Sequence, residues 1–234
     1  MAKIINNKPK IEVTDGVLIP GRDDASLFSA WRISFYGAIS LLVLLPLISP
    51  EPYRDIILFI PDGIIKTFQV TVLSIIFALM IGLFVGLGRI SRITLINRIC
   101  TVYVEIIRGI PLLVQLFYIY YALAKFVMIM DITAAVIAMS VCYGAYISEI
   151  FRAGIQSIPK GQMEAALALG LSRTQAIYRI ILPQTIKVVL PPIGNEFIAL
   201  LKDSSLVSIL AVSDLLRRGR EYASTTFNYF ETYT

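Results

Sequence analysis

Apolar residues along this chain gather into five runs, and polar residues collect in the connectors between them. The runs are Ile33–Ser49, Lys66–Gly88, Ile99–Leu123, Ile132–Ile155 and Ile186–Val212. A helix needs roughly 20 apolar residues to cross about 30 Å of hydrocarbon, so each run is a candidate span, the first at the short limit. The pattern predicts an all-α membrane protein, a helical bundle of about five transmembrane helices. Two spans carry breaks: Gly109, Ile110 and Pro111 interrupt the third, and Pro191 and Pro192 the fifth. Gly82 and Gly86 in the second form a small-residue pair that lets helices approach closely in a crowded bundle. Ser49–Pro52 reads as a turn, Tyr53–Pro61 as a mixed interfacial stretch, and residues 1–32 as an irregular polar tail.

One connector differs from the others. Residues 159–184 are polar enough to face water, yet they carry two short helical patterns. Pro159 suits a helix start, where its missing N–H is not needed. Ala165 to Leu169 favour helix, and Gly170 can take the left-handed conformation that ends one. Ser172 and Gln175 then form a capping-box pattern, Ile177, Ile180 and Ile181 an apolar stripe, and Pro183 the expected end. The same stretch also resembles a DNA-binding helix-turn-helix. The apolar spans on both sides leave no free soluble domain to reach a duplex, so no nucleic-acid partner is expected.

Composition narrows the chemistry. The chain is 57% hydrophobic and 16% charged, with mean hydropathy +0.77 and a net charge of +5. It has no histidine, so neither a His-ligated zinc site nor a Ser-His triad can form. A P-loop fingerprint is absent, which excludes ATPase activity of that kind. Cys100 and Cys142 sit apart in apolar runs and read as packing residues. The polar N-terminal stretch does not have the form of a signal peptide. Counting Lys and Arg by alternate sides places 13 with residues 1–32, 89–98 and 152–187, against 7 on the other side. The positive-inside rule makes the richer side cytoplasmic. Arg217, Arg218 and Arg220 fall on the side where that rule expects few cations.

Glu164, Ala165 and Ala166, then Gly170, then Ile180, Leu182 and Pro183 resemble the EAA loop of bacterial ABC importer permeases. Residues Tyr103–Tyr121, Ala145–Gln156 and Asn195–Leu210 resemble the polar amino-acid branch of that family, and the four motifs occur in family order. The resemblance covers 61–234 and implies a type I importer permease domain there, after a cytoplasmic tail at 1–32 and a first helix with its outer loop at 33–60. It implies a cytoplasmic coupling helix in 159–184, with Glu164, Ala165, Ala166, Gly170 and Arg173 meeting a groove on the ATPase. The implied partners are two ATPase subunits that bind ATP and magnesium, a second permease copy or homologue, an extracytoplasmic binding protein, membrane lipid and a small-molecule amino acid. This chain itself would hold no cofactor and no catalytic residue. It would sit in a bacterial-type inner membrane, with the N-terminus and coupling loop cytoplasmic. The family pattern continues beyond this chain's end into one more helix, which the bundle is therefore expected to lack.

Charges within spans are costly, about 2.5–3.5 kcal/mol each on insertion scales, so they need partners or a wet cavity. Glu105 with Arg108, and Glu149 with Arg152, are spaced to pair along one helix face. A pathway for a polar amino acid needs acceptors for its ammonium, donors for its carboxylate and an apolar wall. Gln115, Tyr118, Tyr143, Tyr146, Ser148, Glu149 and Asn195 are the candidates near mid-span, with free backbone groups at the two helix breaks. The expected function is ATP-driven import by alternating access. The alternative, a self-contained secondary carrier or channel, has no use for a helix–Gly–helix loop and would often show an internal repeat, which this sequence lacks.

Overall fold

The computed structural model describes residues 30–122, 125 and 131–234. The tail expected over residues 1–32 and the loop expected over 125–131 therefore lie almost wholly outside the described residues. Among the described residues the chain is helical, with no strand. It divides into two units, Met1–Arg54 with Thr234, and Asp55–Tyr233.

In the first unit the main element is α1 (Ala30–Ile48), a 19-residue apolar helix with Pro46 inside it and mostly exposed side chains from Ile33 to Ile48. The next helix, α2 (Pro50–Phe59), runs across the unit boundary and replaces the expected turn at Ser49–Pro52. Pro50 stands at its first position, where a proline costs no hydrogen bond and presets the helical φ.

The second unit carries the bundle. It contains α3 (Pro61–Arg89), α4 (Thr94–Gly109), α5 (Leu112–Phe117) running into a π turn at Tyr118–Ala122, α6 (Asp131–Gln156), α7 (Lys160–Ala168), α8 (Arg173–Ala176), α9 (Leu182–Asp203), α10 (Leu215–Thr226) and α11 (Tyr229–Tyr233). Three helices among the described residues are long and apolar enough to cross a membrane alone: Pro61–Arg89, Asp131–Gln156 and the composite Arg173–Leu210. Counting α1 with α2 as one span, and α4 with the α5 segment as another, brings the number to five.

The core is the seam between α3 and α6. Val70, Ala78, Met139 and Ile147 are fully buried there. A Cβ on Gly86 would stand 2.8 Å from the Ser148 carbonyl oxygen and 3.0 Å from Phe151 Cβ, so only glycine admits this approach. Several polar groups in and beside the seam are satisfied locally, although the buried Ser74 hydroxyl has no partner among the described residues. Ser140 donates to the Val136 carbonyl at 2.5 Å, Ser148 to that of Ala145 at 2.7 Å, and Tyr103 to that of Val141 at 2.7 Å. Apolar side chains on the outer faces of α3, such as Phe84 (73% exposed), stay uncovered, as a lipid-facing helix requires.

Two proline expectations need correction. Pro191 and Pro192 do not break α9, which runs unbroken from Leu182 to Asp203. Both lie at exposed positions, and the missing N–H of each leaves one carbonyl without its usual donor, a loss that membrane helices tolerate through local adjustment. Pro183 does not end the preceding helix either. The chain widens into a π turn at Ile177–Ile181, just where the Pro183 ring would strike the carbonyl four residues back, and then continues as α9. The true end is at Asp203. A 3-10 stretch, Ser204–Leu210, follows, and Ala211 takes a left-handed φ of 64°.

Two of the three arginines of α10 are held by acids. Arg217 bonds Glu221 at 2.9 Å, and Arg218 bonds Glu221 at 3.2 Å and also pairs with Asp62 at the start of α3. Asp214 caps α10, accepting the backbone N–H groups of Leu216 and Arg217, and Thr67 Oγ1 accepts that of Leu215.

Candidate functional site

Two places in the second unit concentrate chemistry. The first is the knuckle formed by α7 and α8. Gly170 ends α7 at φ +82°. Its N–H donates to the Leu167 carbonyl at 3.0 Å, and that of Leu171 donates to the Ala166 carbonyl at 3.2 Å. These two bonds form the Schellman pattern, which satisfies carbonyls left over at a helix end. Ser172 opens α8 with both arms of the capping box: Ser172 N–H to Gln175 Oε1 at 2.9 Å, and Gln175 N–H to Ser172 Oγ at 3.3 Å. Of the residues predicted to meet a partner, Glu164, Ala165, Gly170 and Arg173 are exposed. Ala166 is turned inward, 1% exposed, and Ala176 of α8 is fully buried, so Ala166 shapes the knuckle instead of facing outward. The sequence reading passed over Leu169 and Tyr178, which stand 81% and 67% exposed at and beside the bend.

The second place is a cleft of about 540 Å³ between the α4–α5 corner, α6 and α9. Ile110, held extended by the proline after it, turns the chain by 103° from α4 into the α5 segment. Gln115 secures this corner. Its Nε2 donates to the carbonyls of Ile107 at 2.9 Å and Ile110 at 2.8 Å, groups left free where α4 stops. Arg108, Ile110, Pro111 and Leu112 line the cleft from the corner, Tyr143 and Tyr146 from α6, and Glu196, Ala199 and Asp203 from α9. The last three share one face of α9, at spacings of three and four residues. The Arg108 guanidinium lies 4.9 Å from the Tyr146 ring centroid, a cation–π contact. Tyr143 donates to Asp203 Oδ2 at 2.7 Å. One guanidinium, two carboxylates and an apolar floor thus face a single space. Such a site can hold a zwitterion by both its charges without covalent chemistry.

The predicted pathway residues are only partly brought together. Tyr143 and Tyr146 line the cleft. Gln115 is buried behind it as the corner's hydrogen-bond donor. Ser148 is fully buried in the α3–α6 seam, Tyr118 is 71% exposed on the π turn, and Asn195 is exposed on α9 outside the cleft lining. Glu149 pairs with Arg152 and also with Arg89 at the end of α3. The expected Glu105–Arg108 pair does not form among the described residues. The corner that ends α4 directs Arg108 toward Tyr146, and Glu105 stays exposed. The charged residues that do line the cleft are Arg108, Glu196 and Asp203. The one-face spacing of Glu196 and Asp203 was the available signal for two of them.

Comparison with known proteins gives consistent results. The family model for binding-protein-dependent transport system inner membrane components matches residues 78–233. The L-cystine transport system permease protein TcyB of Bacillus subtilis is 45% identical over 160 residues, 68% of this chain and 68% of that protein. The glutamine transport system permease protein GlnP of Escherichia coli K12 is 39% identical, over 74% of this chain and 80% of its own length. A solved structure described as an amino acid ABC transporter with histidines superimposes with TM-score 0.70 at 42% identity, covering 81% of this chain and 86% of that one. The MetNI methionine ABC transporter in an inward-facing form shares the fold, with TM-score 0.64 at 21% identity.

Proposed function

Because the chain belongs to the inner membrane components of binding-protein-dependent transport systems, as a permease subunit of an ABC importer, we propose that it moves a polar amino acid through the cleft at the α4–α5 corner. Arg108 receives the α-carboxylate, and Glu196 with Asp203 receives the α-ammonium. The observation that carries this reading is the convergence of one cation and two anions from α4 and α9 on one 540 Å³ space with an apolar floor. The cystine and glutamine permeases among the relatives support the substrate class.

The knuckle is the coupling element. Its exposed bend, with Leu169 and Tyr178 projecting beside Glu164 and Arg173, is shaped to enter a groove on a cytoplasmic ATPase. Two such ATPases bind ATP and magnesium, a second permease completes the pathway, and a binding protein delivers the substrate from the other side. ATP switches access only by binding the closed assembly more tightly than the open one. This orientation puts residues 89–98 and the knuckle in the cytoplasm. In this orientation Arg217, Arg218 and Arg220 stay on the outer side as exceptions to the positive-inside rule, which counts cations whether or not acids accompany them; Arg217 and Arg218 are paired with Glu221 and Asp62.

Reconstitution in liposomes with the ATPase subunits and binding protein tests the reading. Labelled glutamine or cystine should accumulate only with ATP. Uptake that persists without ATP or ATPase would mean a self-contained carrier. Replacing Arg108 by Gln removes a charge-assisted bond worth about 1.5–3 kcal/mol and should lower uptake about tenfold or more while leaving the protein folded.

A further inference from the structure

Glu149 does not line the cleft, and its carboxylate serves two arginines from different helices. Arg152, on its own helix, donates through Nε to Oε2 at 3.1 Å and through Nη2 to Oε1, and Arg89, the last residue of α3, donates to the same Oε2. The arrangement is braced further: Arg152 Nη1 reaches Gln156 Oε1 at 2.7 Å, and Asn97 of α4 donates to the Arg89 carbonyl. Arg89 and Glu149 are only 16% and 29% exposed, so their attraction is partly shielded from solvent. The cluster sits one turn beyond Gly86, where α3 and α6 make their close approach.

We propose that Glu149 is a positioning residue that clamps α3 to the end of α6 so that movement of the α7–α8 knuckle turns the two spans as one body. This rests on the coupling reading above. The knuckle joins α6 through only Ser157, Ile158 and Pro159. Glu149 lies seven residues before the last residue of α6, about 10 Å along the axis at 1.5 Å per residue. A load on α7 therefore enters α6 just past the clamp. With the clamp closed, α3 must follow. With it open, α6 can bend away and dissipate the load.

The charge count makes the proposal specific. Removing Glu149 leaves two guanidiniums facing each other, so the contact between α3 and α6 changes sign from attraction to repulsion. Removing Arg89 as well leaves Arg152 alone and relieves that repulsion. The two substitutions should be non-additive, with the double variant better than the Glu149 single.

The test uses the complete assembly in liposomes, with labelled glutamine or cystine, whichever the parent accumulates, and both uptake and ATP hydrolysis measured. Glu149→Gln should cut uptake about tenfold while hydrolysis stays within about twofold, and Glu149→Gln combined with Arg89→Gln should recover uptake to about a third of the parent or more. A merely structural role would lower both rates together. Parallel loss of both, an unchanged ratio of substrate to ATP, or a double variant no better than the single overturns the clamp. If Glu149→Gln does not assemble, Arg89→Gln, which leaves Glu149 paired with Arg152, decides: lowered uptake with hydrolysis within about twofold supports the clamp, and unchanged uptake or parallel loss of both overturns it. ATP-independent uptake by the parent would instead sink the coupling reading.

Discussion

At the scale of single residues, Gly170 and Glu196 carry the sharpest consequences. Gly170 sits at φ +82°, where an L side chain costs roughly 1–2 kcal/mol. Gly170→Val should therefore lower the thermal stability of the knuckle and uncouple uptake, whereas Gly170→Asn, which tolerates that conformation, should be milder. Paired thermal unfolding and uptake measurements check the order. Glu196→Gln should weaken uptake of zwitterionic amino acids while leaving ATP hydrolysis measurable. Equal uptake would remove Glu196 from the substrate's contacts. The residue scale is also where the sequence was least informative. Which charges meet in space depends on the corner at Ile110, and no spacing rule along one helix reveals a partner on another. Arg108 was paired with its own helix because local spacing was the only geometry in view.

At the scale of elements, the sequence was far more legible. The capping box at Ser172 and Gln175 and the left-handed Gly170 are local chemistry, written in adjacent residues, and both are present. Ser172→Ala should cost about 1 kcal/mol of stability, read as a shift in the unfolding midpoint of the purified subunit. Gly82 and Gly86 likewise announced a close helix contact, and α6 is the helix they meet. Gly86→Leu would force a side chain into the Ser148 backbone and should destabilise the bundle by about 1–3 kcal/mol. The prolines misled because their effect is conditional. A membrane helix can run through a proline by local adjustment, as at Pro191 and Pro192, or past one preceded by a widened turn, as at Pro183, and neither circumstance can be read from the proline itself.

At the scale of the whole molecule, five apolar runs sufficed to predict the class of fold, since a chain surrounded by hydrocarbon must satisfy its backbone internally. They could not predict that α10 folds back onto α3 through Arg218 and Asp62, a contact between residues far apart in sequence. The acids of α10 that accompany it predict a pH dependence. Arg217, and then Arg218, hold the Glu221 carboxyl below its ordinary value of 4.5, so its contribution to stability is complete above that value and is lost as pH falls through the lowered one. Burial pushes Asp214 the other way, against its backbone hydrogen bonds, so its contribution is present in acid and lost as pH rises through the raised value. Glu221→Gln should be less stable than the parent at neutral pH and converge with it in acid. Thermal unfolding of the purified subunit at the two pH values would show this.

The bend at Ile110 has a mechanical corollary. A straight rod can alter the bore of a channel only by tilting along its whole length, disturbing every neighbour. Here the rod is two short pieces meeting at one extended residue, and a side-chain amide from the second piece grips the open end of the first. Such a joint can flex at a single pair of backbone angles without unwinding either half. The cheapest place to vary the aperture is therefore the spot beside Arg108, the residue proposed to receive the substrate's carboxylate.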